Sequence, residues 1–159
     1  MIYLISGKRF SGKDYYGNIL QKNLKGVIIK TSFAEQAKKE YCKQNNLIYK
    51  NFNTREIKEK HRKNLIYFCQ NKKKINKYCW CIKLFENIKT INYDHLIITD
   101  LRYPEEIEYF KINNIKFKTI RINSSLDTRI KRGLKLSNVD NHISETYLDN
   151  FNFDTIIKN

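Results

Sequence analysis

The pattern of apolar and polar positions switches repeatedly between two periods. Ile2-Tyr3-Leu4-Ile5-Ser6 is a short apolar run ahead of a glycine and predicts a buried strand, with a helix following over about 12–23. Val27-Ile28-Ile29-Lys30-Thr31 predicts a second strand. Ser32-Phe33-Ala34-Glu35 has capping-box spacing, in which the hydroxyl and the carboxylate satisfy free backbone donors, so a helix is expected to about 44. Asn53-Thr54-Arg55-Glu56 repeats the device at the head of a basic helix to about 70. From about 77 another helix follows, and Trp80, Leu84 and Ile88, flanked by Cys81 and Phe85, share its apolar face. Leu96-Ile97-Ile98-Thr99-Asp100 is an apolar strand ending on an acid, and Pro104 opens a helix to about 113. Residues 117–122 and 153–157 supply the last strands. Strands alternating with helices predict an α/β fold, a mainly parallel sheet with helices on both faces and ligands at the carboxyl ends of its strands.

The 159 residues suit one domain, and one proline with five glycines leaves few places for a boundary inside it. No apolar run approaches the roughly 18 residues of a membrane span. The first six residues lack a basic lead-in and a small-residue cleavage site, so they read as a strand and not a signal peptide. Cys42, Cys69, Cys79 and Cys81 show no paired spacing beyond one C-x-C, which fits free thiols in a reducing, cytoplasmic setting. With His61 or His95 they also complete no tetrahedral zinc pattern.

Charge adds a preference for anions. Lys and Arg number 31 against 16 Asp and Glu, a net +15. Apart from Lys72-Lys73-Lys74, expected in an inter-helix loop, the lysines are scattered, which suits small phosphate substrates better than a nucleic-acid track.

Gly7-Lys8-Arg9-Phe10-Ser11-Gly12-Lys13-Asp14 reads G-x-x-x-x-G-K between a strand and a helix, the context of a P-loop. Gly7 and Gly12 let the backbone N–H groups wrap an anion, the helix N-terminus adds its positive dipole end, and Lys13 supplies a point charge. The chain is therefore expected to be a P-loop NTPase-type protein that binds ATP through Gly7, Lys8, Arg9, Ser11, Gly12, Lys13 and Asp14. Asp14 stands where the motif asks for Ser or Thr, so a carboxylate would meet magnesium, directly or through water.

Asp100, at the end of its apolar strand, reads as the second acid that holds Mg²⁺ or its waters, or as a cap on the turn before Pro104. Arg102 can present its planar fork to a phosphate or pair with Glu105 or Glu106.

Taken together, these runs resemble the phage-type deoxynucleoside monophosphate kinases and their relatives, the animal-type phosphomevalonate kinases, over nearly the whole chain. The loop ending Gly12-Lys13-Asp14 is shared by both. Phe33-Ala34 with Lys38 resembles an F-A-x-P-L-K segment, with Gln36 in place of the proline, and Lys58-Glu59 with Arg62 resembles K-E-x-x-R. Asp100 to Glu106 is similar to the D-x-R-[FY]-P-x-E run of the deoxynucleotide branch, and His142-Ile143-Ser144-Glu145 to its H-x-S-E run. Arg129-Ile130-Lys131-Arg132-Gly133 resembles an R-x-x-R-G lid within a segment of about 124–140, and Asp149-Asn150-Phe151 with Phe153-Asp154 and Asn159 resembles the closing stretch of both families.

The resemblance implies a kinase in which Lys13, Asp100, Arg102, Arg129 and Arg132 act on the moving phosphoryl group, Asp14 and Asp100 hold magnesium, and Phe33, Lys38, Arg62, Arg102, His142 and Glu145 face the acceptor. A deoxynucleoside monophosphate is the first expectation and phosphomevalonate the alternative; a basic nucleic-acid-binding P-loop protein is the third. From the residues alone, Arg129 and Arg132 also read as an exposed basic helix, Glu145 as a helix N-terminal carboxylate, and His142 as a structural histidine.

Overall fold

The computed structural model describes the backbone of all 159 residues and every side chain except those of Asn53 and Arg55. Five strands form one wholly parallel sheet: β1 (Ile2–Ser6), β2 (Ile28–Thr31), β3 (His95–Leu101), β4 (Phe117–Asn123) and β5 (Thr155–Lys158), in the order β2-β3-β1-β4-β5. Parallel neighbours require crossovers, and flanking helices supply them. The helices are α1 (Lys13–Asn23), α2 (Ala34–Gln44), α3 (Arg55–Ile75), α4 (Cys79–Ile88), α5 (Pro104–Ile112), α6 (Leu126–Lys131) and the short α7 (Ile143–Thr146). The expected α/β class with a parallel sheet is what forms.

Two compact units can be separated. The first, Met1–Ser32 with Ile91–Asn159, contains the sheet. Its core is aliphatic: Ile5, Ile97, Ile120 and Ile122 are buried together, with Tyr16 and Leu20 of α1 packed on them. β1 lies in the middle of the sheet, so its carboxyl end opens between two parallel neighbours, where such sheets hold ligands. Pairing of β1 with β3 is interrupted there: Leu4 faces Ile98 but Ser6 faces Leu101, so β3 carries one extra residue beside Asp100. Asp154, leading into β5, accepts hydrogen bonds at 2.7 Å from both the N–H and the hydroxyl of Thr119 on β4. Those bonds, the backbone one foremost, hold its pKa below the ordinary aspartate value.

The second unit, Phe33–Thr90, is helical and has an aromatic core. Tyr41, Cys42 and Phe52 are buried with Leu65 and Phe68 against them, and the Tyr41 hydroxyl lies 3.1 Å from His61 Nδ1. The expected apolar stripe of α4 is buried at Trp80, Cys81, Leu84 and Ile88. Two sequence expectations shift here. Helix α3 runs to Ile75, five residues past the expected 70, and begins after Thr54, whose side chain makes no cap hydrogen bond; the part expected of the Asn53 side chain lies outside the described side chains. Lys72-Lys73-Lys74 is the last turn of α3 and not a loop, because cations there face the negative end of the helix dipole and are favoured within the helix. Among the described residues no helix is long and apolar enough to cross a membrane.

Candidate active site

The loop between β1 and α1 is built by two glycines and one strained residue. Gly12 heads α1 at φ 91°, a left-handed conformation that costs glycine nothing, and no side chain caps the helix behind it. The N–H groups of the first turn therefore remain available to an anion. A Cβ on Gly7 would run into the Ser11 hydroxyl and stand 2.9 Å from the Ile122 carbonyl, so the loop closes tightly only with glycine there. Phe10 is also left-handed, at φ 62°, unusual for a bulky residue and characteristic of over-determined backbone at functional sites. The Ser11 hydroxyl is buried with no partner among the described residues.

Lys13 sits among charges. Burial, with Arg102 in support, pulls its pKa down to about 8, while Asp14, Glu145 and Asp100 pull the other way. The expected loop lysine, the two candidate magnesium acids and Arg102 thus share one neighbourhood. Asp14 is exposed on the first turn of α1, and Asp100 is half-buried at the bulged end of β3. No cluster of three or more metal-binding side chains occurs among the described residues. Such a sparse set suits magnesium, which takes one or two carboxylates and completes its shell with phosphate and water.

Arg102 is held twice. Its backbone N–H donates to Glu106 Oε2 at 2.8 Å, and Glu106 accepts the Tyr103 N–H as well, capping α5. Its guanidinium donates to the Glu145 carboxylate and, at 2.9 Å, to the Ser144 carbonyl. Burial opposes the charge but Glu145 and Asp100 outweigh it, so the pKa of Arg102 is raised. Glu145 is itself buried and accepts the Arg9 N–H at 2.9 Å. It thus lies between the loop backbone and Arg102, close enough to Lys13 to raise that group's pKa. His142 caps α7: its Nδ1 accepts the Ser144 N–H at 3.1 Å, which requires that nitrogen to be unprotonated. Burial, opposed by Glu145 and seconded by Arg102, holds its pKa below the ordinary histidine value.

In the segment expected to act as a lid, Arg132 reaches the loop. Its Nη1 donates to the carbonyls of Ser11 at 3.0 Å and Phe10 at 3.3 Å, and its Nη2 to Asn159 Oδ1 at 3.1 Å. Arg129 is half-buried, and its Nε has no partner among the described residues. It lines a cavity of about 700 Å³ together with Lys8, Ser11, Arg121, Ser124 and Asn159. That cavity adjoins the loop at the carboxyl ends of β4 and β5.

The other predicted residues lie in the helical unit. Phe33 is buried at the head of α2, Lys38 is half-buried along it, and Arg62 on α3 makes a two-point pair with Glu59, at 2.7 and 3.1 Å.

Sequence reasoning missed Arg121, Asp140 and Asp149 as members of the ionic network around the loop. Arg121 is buried on β4, donates to Ser6 Oγ at 3.0 Å and to Asp149 at 2.6 Å, and lies against the Phe153 ring. Asp149 also holds Lys8 at 2.7 Å, and Asp140 holds the Arg9 guanidinium at 3.0 Å. One signal was available: an arginine between Ile120 and Ile122 in a central strand must find partners or destabilise the core.

Comparison with known proteins gives the chain a family and relatives of its fold. The family model described as phosphomevalonate kinase matches residues 5–117. A phosphomevalonate kinase of Drosophila melanogaster is 27% identical over 165 residues, spanning 99% of this chain and 87% of its own. A shikimate kinase from Aquifex aeolicus vf5 superposes with a TM-score of 0.50 at 16% identity, over 99% of this chain and 85% of that one. The protein TT1252 from Thermus thermophilus gives 0.56 at 12%, over 100% and 88%. At such identities the two structures speak for the fold alone.

Proposed function

The chain belongs to the phosphomevalonate kinase family, and from that premise we propose that it transfers the γ-phosphoryl group of ATP to phosphomevalonate, giving the diphosphate and ADP. The observation that carries this reading is the family match across the loop, the helical unit and the Asp100–Arg102 strand end, residues 5–117. It moves the deoxynucleoside monophosphate from first choice to rival. His142 and Glu145, which favoured the nucleotide branch, are engaged with a helix cap and with Arg102 and Arg9.

Phosphoryl transfer asks mainly for positioning and for cations around charge that spreads over three oxygens. Lys13 and the N–H groups of the Gly7 to Asp14 loop, with Lys8, Arg9 and Ser11, would hold the β- and γ-phosphates. The cavity beside Arg129 would take the rest of the donor. Asp14 and Asp100 would hold magnesium, which would supply neutralisation of phosphate charge. Arg102 would meet the acceptor phosphate, and Arg129 and Arg132 the transferring group. Phe33, Lys38 and Arg62 would serve the acceptor side. The acceptor phosphate oxygen attacks the γ-phosphorus, the bond to the β–γ bridging oxygen breaks, and ADP leaves with that electron pair. Residues 1–159 act as one kinase domain with a lid over about 124–140.

The test is ADP release from ATP and magnesium over a panel of phosphomevalonate and the deoxynucleoside monophosphates. Turnover with phosphomevalonate well above every nucleotide is expected; a preference for a nucleotide reverses the proposal. Salt-sensitive duplex binding with no turnover would favour the nucleic-acid alternative.

A further inference from the structure

Although the chain carries 31 basic residues against 16 acids, three acids from one short stretch, Asp140, Glu145 and Asp149, meet cations in or beside the phosphate loop. Asp140 and Asp149 bind side chains, those of Arg9 and Lys8. Glu145 differs. Its Oε2 accepts the backbone N–H of Arg9 at 2.9 Å, one residue before the left-handed Phe10, and its Oε1 accepts from Arg102 Nη1.

We propose that Glu145 is a positioning residue for phosphoryl transfer, fixing the phosphate-loop backbone at Arg9 and the aim of the Arg102 guanidinium in a single arrangement. This rests on the phosphoryl-transfer reading given above. Two independent anchors make the role specific. The Arg9 guanidinium is already placed by Asp140 at 3.0 Å and Ser137 at 3.3 Å, so Glu145 adds only a hold on the backbone. The Arg102 backbone is already placed by Glu106 at 2.8 Å, so Glu145 adds only the direction of the fork, helped by the Ser144 carbonyl at 2.9 Å. The Glu145 side chain is 2% exposed. A carboxylate that deep persists only when its oxygens are matched, and here the matches are one loop N–H and one arginine. Donor cradle and acceptor-side cation therefore share one rigid reference point.

Glu145→Gln tests this with three readouts: equilibrium binding of a fluorescent ATP analogue, steady-state ADP release, and thermal unfolding. Expected are a fall in kcat of about ten- to a hundredfold, as for a small misplacement of reacting groups, and a rise of about fivefold in the ATP-analogue Kd. A lowered melting temperature with unchanged kcat and ATP affinity would make Glu145 merely structural and overturn the proposal. A rise in acceptor KM alone would make it an acceptor contact and do the same. Should the Gln variant not accumulate folded, Glu145→Asp keeps the charge but withdraws it by one methylene; the same losses are expected, and wild-type values overturn the idea. ATP binding needs no acceptor, so a wild-type protein inert on phosphomevalonate would defeat the acceptor assignment while the variant's ATP affinity still decides the role of Glu145.

Discussion

In the sheet unit, Lys8, Arg9 and Arg102 are held by Asp149, Asp140 and Glu145, each 40 or more residues distant in sequence. In the helical unit, Arg62 and Lys39 meet Glu59 and Glu35, three and four residues away on their own helices. The first kind of pair is part of the tertiary fold, so its cations are set before any ligand arrives. The second kind sits in high dielectric and is worth about 0.3–0.5 kcal/mol, so its cations can change partners at small cost. Under the proposed function the fixed cations would form the cradle for the triphosphate, and the looser Arg62 would be free to turn to the acceptor.

Replacing Lys13 strikes the fixed side hardest. Lys13→Met should lower turnover about a thousandfold. It should also stabilise the ligand-free protein, by about 1–3 kcal/mol, because the variant no longer carries a charge that the surroundings disfavour; denaturant unfolding measures this. Loss of activity together with loss of stability would break the picture of a cation held at a cost.

Arg132→Ala comes next. It removes the donor to the Phe10 and Ser11 carbonyls, and about a hundredfold loss in kcat is expected, with the acceptor KM near its wild-type value. Arg62→Ala should do the opposite, raising the acceptor KM about tenfold and sparing kcat. Equal effects of the two on kcat would erase the contrast between the units.

The pH dependence sharpens it further. With the folded Lys13 value near 8 and the ordinary value at 10.5, the unfolded chain binds more protons between them, so this group makes stability rise with pH across that window. Activity should move the other way: kcat/KM for ATP falls as pH passes about 8, while kcat persists higher because bound phosphates restore the proton. The smallest effect belongs to Glu59→Gln, which should change stability by no more than about 0.5 kcal/mol.

Much of the fold could be read from the chain. The runs at Ile2–Ser6 and Leu96 to Asp100, the α4 stripe and the G-x-x-x-x-G-K spacing are local signals, and each depends on periodicity or turn chemistry within a few residues. The ionic network could not be read in the same way. Asp140, Glu145 and Asp149 become partners of Lys8, Arg9 and Arg102 only once β4 and the segment after it return to the loop, and no spacing records that return. His142 shows the same limit. The resemblance implied a substrate contact and the residue alone a structural histidine, and only the folded chain shows its Nδ1 closing the first turn of α7.

The extra residue in β3 has a consequence for the tolerance of this strand to change. Side chains of a strand alternate between faces, so one added residue reverses the alternation beyond it. With Ser6 opposite Leu101, an apolar side chain, 1% exposed, fills the ladder position that unbroken counting would have given to Asp100. Deleting one residue at Thr99 would remove the bulge, leave Leu101 opposite Ser6 and bring the Asp100 carboxylate opposite Ile5, whose side chain is fully buried. The sheet could still pair, yet the acid would leave its place at the strand end. Apolar residues along β3 can therefore be exchanged within their size limits, but the length of the strand between Ile98 and Leu101 sets where Asp100 stands.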